Sequence, residues 1–240
     1  MATKAQAILL GFDDPVRQKS LVDRLWTVGL RAKGAPDVPE AHRLMDMEGP
    51  FQIAIVESEA DALAELISEF RKHISRAEAR VLVFGSRISA PEIAAAREAG
   101  ADFALWEPCH GSELRFVVNQ AAYTETRGAI RDQLRVPTQL AAFVHSGAGR
   151  KPAGVYNLSM LGAYLETPRP NGSGATILVE LLMRSGSVHL DAEVVTTNVP
   201  GNLRRPNRPI GMGVRFLAPR PEQEEALRRF VDERACTYAL

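Results

Sequence analysis

Arg127-Gly-Ala-Ile-Arg131-Asp-Gln-Leu-Arg135-Val-Pro137 (RGAIRDQLRVP) lies between two halves of this chain that carry different hydrophobic periods. Beyond it, apolar residues recur at every second position in short runs, the period of half-buried strands. The runs are Gln139–His145, Gly154–Tyr156, Ala163–Glu166, Ala175–Met183, Ser187–Thr196 and Gly211–Phe216. Turn-forming clusters separate them at Ser146–Gly149, Pro168–Gly174, Ser185–Gly186 and Pro200–Pro209. Six short strands at this spacing predict a small barrel or sandwich. A helix closes the half at Pro221–Cys236. Its acidic Glu222, Glu224 and Glu225 precede Arg228, Arg229 and Arg234, the charge order that complements a helix dipole. Leu227, Phe230 and Val231 form its apolar face.

Before residue 127 the pattern alternates buried strands with amphipathic helices. Ala7–Phe12, Gln52–Val56, Val81–Phe84 and Ala101–Trp106 are short apolar runs. Between and after them, Pro15–Leu30, Ala60–Ile74, Pro91–Ala99 and Gly111–Tyr123 carry apolar residues at helical spacing. Such alternation predicts a parallel sheet covered on both faces. The fold class is therefore α/β followed by all-β, with domains at 1–124 and 125–240.

Composition bounds what these halves can do. With 45% hydrophobic and 24% charged residues in 240, the chain reads as globular, long enough for two small cores. No apolar run approaches the ~18–20 residues of a membrane-spanning helix, so membrane insertion is not expected. Met1–Phe12 leads into Gly11-Phe-Asp-Asp14 rather than a small-residue cleavage site, which predicts no signal peptide and a cytoplasmic location. Cys109 and Cys236 make neither a disulfide framework nor a metal-ligand spacing. Residues 1–124 hold 14 Lys/Arg against 18 Asp/Glu, and residues 125–240 hold 15 against 11. That excess, nearly all arginine, suits a small anionic ligand and is too scattered for a nucleic-acid polymer.

The chemistry-bearing residues of the second half are Arg127, Arg131 and Arg135, then Asn157-Leu-Ser159-Met-Leu-Gly162. An arginine grips a phosphate bidentately, reads guanine O6 and N7, or stacks on a purine. Asn157 and Ser159, two apart on an extended chain, leave the same face and can bond a base edge or a phosphate. Gly162 permits a positive φ or a close approach of backbone to ligand. Singly, each piece has an ordinary reading, a solvated helix face for the arginines and a hairpin turn for the rest.

In combination they resemble the PilZ domain family. That family opens on R-x-x-x-R, here Arg131-Asp-Gln-Leu-Arg135 followed by Val136-Pro137, and continues with [D/N]-x-S-x-x-G, here Asn157 through Gly162. Its last strand is similar to Gly211-Met-Gly-Val-Arg-Phe216, and a terminal helix completes it. The resemblance covers residues 127–240. It implies a six-stranded β-barrel that binds cyclic di-GMP, a bacterial second messenger. By that resemblance Arg131 and Arg135 clamp the guanines and phosphates, Asn157 and Ser159 read the other side, Gly162 shapes the turn, and Arg127 is auxiliary.

The first half resembles a response-regulator receiver domain, a flavodoxin-like fold. Asp13-Asp14 match that family's Mg²⁺-holding acidic pair and equally suit a helix N-cap. Later positions depart from the family. Glu57 of Val56-Glu57-Ser58 stands where its phospho-acceptor aspartate falls, and Glu107-Pro108 stands in place of Lys-Pro. Gly85 or Ser86 occupies its Ser/Thr position. A carboxylate in place of the phosphate-pairing cation implies a pseudo-receiver without phosphotransfer.

The five histidines lack metal spacing. Gly147-Ala-Gly149 and Gly172-Ser-Gly174 lack the strand-then-helix setting of a phosphate loop. Arg204-Arg-Pro-Asn-Arg208 reads as a solvated basic loop, with help in holding ligand or partner as its alternative. The reading is a receptor, not an enzyme, with no cofactor and cyclic di-GMP as ligand. Ligand would order residues 127–135 and change interdomain or partner contacts, through an unidentified protein partner or a homodimer. The alternatives are a phosphorylation-driven response regulator with a passive barrel and a ligand-free interaction adaptor.

Overall fold

The structure, a computed structural model, describes residues 6–75, 77–122, 134–147, 149–201 and 207–238. It divides into two compact units, Met1–Arg127 with Cys236–Leu240, and Gly128–Ala235. The boundary expected between residues 124 and 125 lies outside the described residues, as do Arg127 and Arg131.

In the first unit β1 (Gln6–Leu10), α1 (Pro15–Thr27), β2 (Arg31–Ala35), α2 (Val38–Glu48) and β3 (Ile53–Glu57) precede α3 (Leu63–His73). Then come β4 (Arg80–Gly85), α4 (Ala90–Ala99), β5 (Phe103–Trp106) and α5 (Gly111–Ala122). The strands are parallel in the order β2-β1-β3-β4-β5, the flavodoxin-like arrangement of a receiver-like fold. The central strands β1, β3 and β4 are apolar on both faces because helices cover both. Ile8, Leu10, Val56 and Val83 pack with Ile67 and Phe70 of α3. The stretch Arg31–Glu48 carries no expectation of structure from its pattern, yet it folds as an edge strand and a helix. β2 is RAKGA, with one buried residue of five, so no apolar run marks it. α2 does carry a signal, since Asp37 caps it by accepting a hydrogen bond from the Glu40 amide and Pro39 opens it.

The second unit contains β6 (Val136–Pro137), β7 (Ala141–Ser146), β8 (Gly149–Ser159) and β9 (Gly162–Glu166). It continues through β10 (Thr176–Met183), β11 (Gly186–Asn198), β12 (Gly211–Phe216) and α6 (Pro221–Tyr238). Six antiparallel strands close a barrel in the order β8-β7-β10-β11-β12-β9, with β9 pairing back onto β8. Closure removes the unpaired edges that would otherwise invite association. Val144, Val155, Leu165, Val179, Leu190 and Val214 are among its buried side chains, and α6 buries Leu227 and Val231. Among the described residues, no helix is long and apolar enough to cross a membrane.

Two details shape the end of the barrel where β8 turns into β9. First, β6 and β7 lie end to end along one edge of β8. Val136 pairs with Leu158 and Pro137 with Asn157, then the ladder resumes at Ala141 with Gly154. The Thr138 hydroxyl spans the interruption, donating to the Val155 carbonyl at 2.5 Å and accepting from the Leu140 amide at 3.1 Å. Second, β11 bulges between Val194 and Thr196 where it pairs with β12, which leaves Val195 out of the ladder and 42% exposed.

Candidate functional site

The segment Asn157–Gly162 is a hairpin. Ser159 ends β8 and pairs with Gly162 at the start of β9, with Met160 and Leu161 between them. The Ser159 hydroxyl donates to the Gly162 carbonyl at 3.1 Å and closes the turn. Leu158 is fully buried, and the two-residue period puts Asn157 and Ser159 on the opposite face. Both are nevertheless only 4% and 3% exposed. The Asn157 Oδ1 atom is buried without a hydrogen-bond partner, a cost that folded proteins rarely leave unmet.

The β6–β8 register carries Arg135 to this hairpin. Val136 pairs with Leu158, the residue before Ser159, and Arg135 immediately precedes Val136 in the chain. Asn157, Ser159 and Gly162 lie at one end of the β8–β9 ladder, with Arg135 next to the β6 residue paired beside them, while Arg127 and Arg131 lie outside the described residues.

Gly162 differs from the sequence expectation. Its φ is not positive, and what it makes room for is the barrel itself. A Cβ there would stand 2.1 Å from the Val214 carbonyl oxygen of β12. At the other end of the same β9–β12 ladder, a Cβ on Gly211 would stand 2.1 Å from the Leu165 carbonyl oxygen. Two glycines therefore let these backbones approach, and the spacing of glycines alone does not distinguish this use from a turn or a ligand approach.

Beside the hairpin opens a pocket of about 250 Å³, lined in part by Arg135, Tyr164, Thr196, Asn198, Arg208 and Gly213. Among the described residues its lining holds two arginines and no carboxylate. Gly213 keeps the floor open, since a Cβ there would meet the Thr196 hydroxyl at 2.6 Å. The Arg208 guanidinium lies 4.9 Å from the centre of the Tyr164 ring. Burial pushes the Tyr164 phenol up to about 12, against the opposing pull of Arg208, so the ring stays neutral and donates its proton to the Pro209 carbonyl at 2.7 Å. By sequence, Arg208 reads as part of a solvated loop, with help in holding ligand or partner as the alternative. Its placement depends on Tyr164, distant in sequence, and on Asn198, ten residues before it across the loop, and no local signal carries it. Arg204 and Arg205 of that loop lie outside the described residues.

In the first unit the carboxylates singled out by sequence gather at the C-terminal ends of β1, β3 and β5, around Arg17. Asp14 caps α1, accepting from the Val16 amide at 2.8 Å. Arg17, one turn into that helix, pairs with Glu57 at 2.8 Å, with Glu107 at 3.3 Å and with Glu59. Arg24 holds Glu107 from its other side at 2.8 Å. Burial raises the Glu57 carboxyl above its ordinary value, with Arg17 pulling it back. Burial also draws Arg17 down, but the hydrogen bond it donates to Glu59 and the charges of Glu57, Glu59 and Glu107 outweigh it and its value is raised. Gly85 is the counterpart of this arrangement, because a Cβ on it would collide with the Ser58 hydroxyl and approach the Arg17 guanidinium at 2.9 Å. Among the described residues no cluster of His, Cys, Asp and Glu is arranged to hold a metal ion.

The family model described as "PilZ domain" matches residues 129–233. No curated protein matches the chain. Among solved structures, the PilZ domain with c-di-GMP of YcgR from Escherichia coli is 21% identical, covering 45% of this chain and 93% of that one, with a TM-score of 0.36. The Vibrio cholerae chemotaxis protein CheY4 is 16% identical and covers 50% of this chain and 99% of its own, at a TM-score of 0.43. A CheY-like receiver domain protein from Methanospirillum hungatei is 16% identical, covering 49% and 93%, at 0.42.

Proposed function

We propose that the PilZ domain of residues 129–233 is a receptor for cyclic di-GMP and that the chain is a signalling protein, not a catalyst. The observation that carries this reading is the buried Asn157 amide oxygen without a hydrogen-bond partner, in a hairpin whose neighbour β6 follows directly on Arg135. A ligand that brings phosphodiesters to arginine and base-edge donors to an amide oxygen would satisfy both. Arg131, four residues before Arg135, joins the clamp in this reading, and Arg127 assists it.

The input favoured over phosphorylation is the nucleotide. At the end of β3 the chain carries Glu57, already paired with Arg17, and Glu107 stands where a phosphate-binding cation would be required. Ligand held by residues 127–135 then alters what the first half contacts, whether a protein partner or a second copy of this chain. Such a shift is limited to the ligand's differential affinity for the two states.

Isothermal titration of the whole chain with cyclic di-GMP tests the proposal. Heat of binding is expected at micromolar nucleotide, and Arg135→Ala is expected to abolish it. Silence of the wild type at tens of micromolar nucleotide would overturn the reading.

A further inference from the structure

The pocket beside the hairpin contains a cation that neither motif includes. Arg208 enters it from the stretch that leads into β12, and three hydrogen bonds hold the backbone there. The Asn198 Nδ2 group donates to the carbonyls of Arg208 and Pro209, at 2.9 and 3.2 Å, and the Tyr164 hydroxyl donates to that of Pro209 at 2.7 Å. Asn198 is 2% exposed and Tyr164 is 1% exposed, so both anchors belong to the barrel interior. The guanidinium then lies against the Tyr164 ring. A stacked guanidinium has one face covered and its N–H edges directed in plane, the geometry in which arginine receives a planar anion with little further loss of freedom. Arg135 lines the same pocket, so two positive charges converge there, with no carboxylate among the described lining residues.

We infer that Arg208 is a further ligand-contacting arginine of the cyclic di-GMP site, bonding a phosphodiester from the side opposite the Asn157–Gly162 hairpin. The inference rests on the reading of this domain as a cyclic di-GMP receptor. Tyr164 and Asn198 are positioning residues, acting through the backbone of Arg208 and Pro209. A pocket of about 250 Å³ is smaller than the ~300–1,000 Å³ usual for a drug-sized ligand. A cyclic dinucleotide therefore lies across the mouth of the pocket, and a phosphodiester at that mouth meets Arg208 and Arg135 together.

The test is titration of the full chain with cyclic di-GMP for wild type, Arg208→Ala and Arg208→Gln, at about 0.1 M and 1 M sodium chloride. Both variants leave the carbonyls of residues 208 and 209 in place, and Gln keeps a planar end without charge, so one folded variant is secured by near-UV circular dichroism. Affinity is expected to fall about 10- to 100-fold in each variant, the loss of a charge-assisted hydrogen bond. The gap from wild type is expected to narrow at high salt, where a partly exposed charge contact is screened. A variant that binds within twofold of wild type, or a gap independent of salt, overturns the assignment of Arg208 and leaves the receptor reading standing. A silent wild type overturns both.

Discussion

Gly162→Ala separates a structural glycine from a ligand-facing one. The added methyl would stand 2.1 Å from the Val214 carbonyl oxygen, about an ångström inside the closest tolerable contact. The obstacle is backbone, in a ladder where Gly162 pairs with Arg215 on one side and Ser159 on the other, so no side chain can turn away. Relief requires β9 and β12 to part at this end. That strains packing by about 1–3 kcal/mol and sacrifices one ladder hydrogen bond worth about 1 kcal/mol. Reduced unfolded-state freedom returns only about 0.4–1 kcal/mol. The net expectation is a loss of about 1–3.5 kcal/mol, which for a domain of this size lowers the melting temperature by roughly 5 °C or more. The assay has a natural division of probes. Trp26 and Trp106 both lie in the first unit, whereas Tyr156 and Tyr164 pack edge to face at 5.9 Å in the barrel. Tyrosine near-UV circular dichroism should therefore melt early in Gly162→Ala while tryptophan fluorescence melts as in wild type. A variant whose barrel keeps wild-type stability but loses cyclic di-GMP would refute the argument and return Gly162 to the role of a ligand-approach residue.

Arg17→Ala should destabilise the first unit by roughly 2–3 kcal/mol at pH 7, because the Glu57 side chain is 7% exposed and loses its close guanidinium while Arg17 itself was partly solvated. Without Arg17 the already raised Glu57 value rises further, and the folded state then retains a proton that the unfolded state has released. Stability therefore falls as pH rises through the interval from the ordinary glutamate value to the raised one. Urea unfolding followed by tryptophan fluorescence should show a smaller deficit at pH 4 than at pH 7, and an equal deficit at both would contradict the assignment. Cys109 should react at least ~10-fold more slowly with a disulfide reagent than the exposed Cys236, since burial raises its thiol despite the Arg24 contact at 2.7 Å. Equal rates by mass spectrometry would count against that burial.

Much of the architecture is readable from local pattern, and the failures have physical causes. The apolar runs Ala7–Leu10, Ile53–Val56 and Val81–Phe84 are strands because a sheet covered on both faces demands them. β2 escapes because an edge strand exposes most of its residues and so needs no apolar run. The hairpin at Asn157–Gly162 is legible as spacing, whereas the reason for its last glycine is not. A close approach between β9 and β12 joins residues about fifty positions apart.

Residue order alone establishes the pair of hydrophobic periods, and with them an α/β half and a β-barrel half, together with the two motifs that point to one ligand class. These are properties of neighbouring residues, since amphipathic period and turn chemistry act within a few positions along the chain. That Arg17 is the cation among the receiver-like carboxylates, and that Arg208 shares a pocket with Arg135, is settled instead by the folded chain. Each of those outcomes depends on strand order and on partners outside the local stretch, such as Glu57 and Glu107 for the one and Tyr164 and Asn198 for the other. Charges act through space, and only folding sets the distances between them.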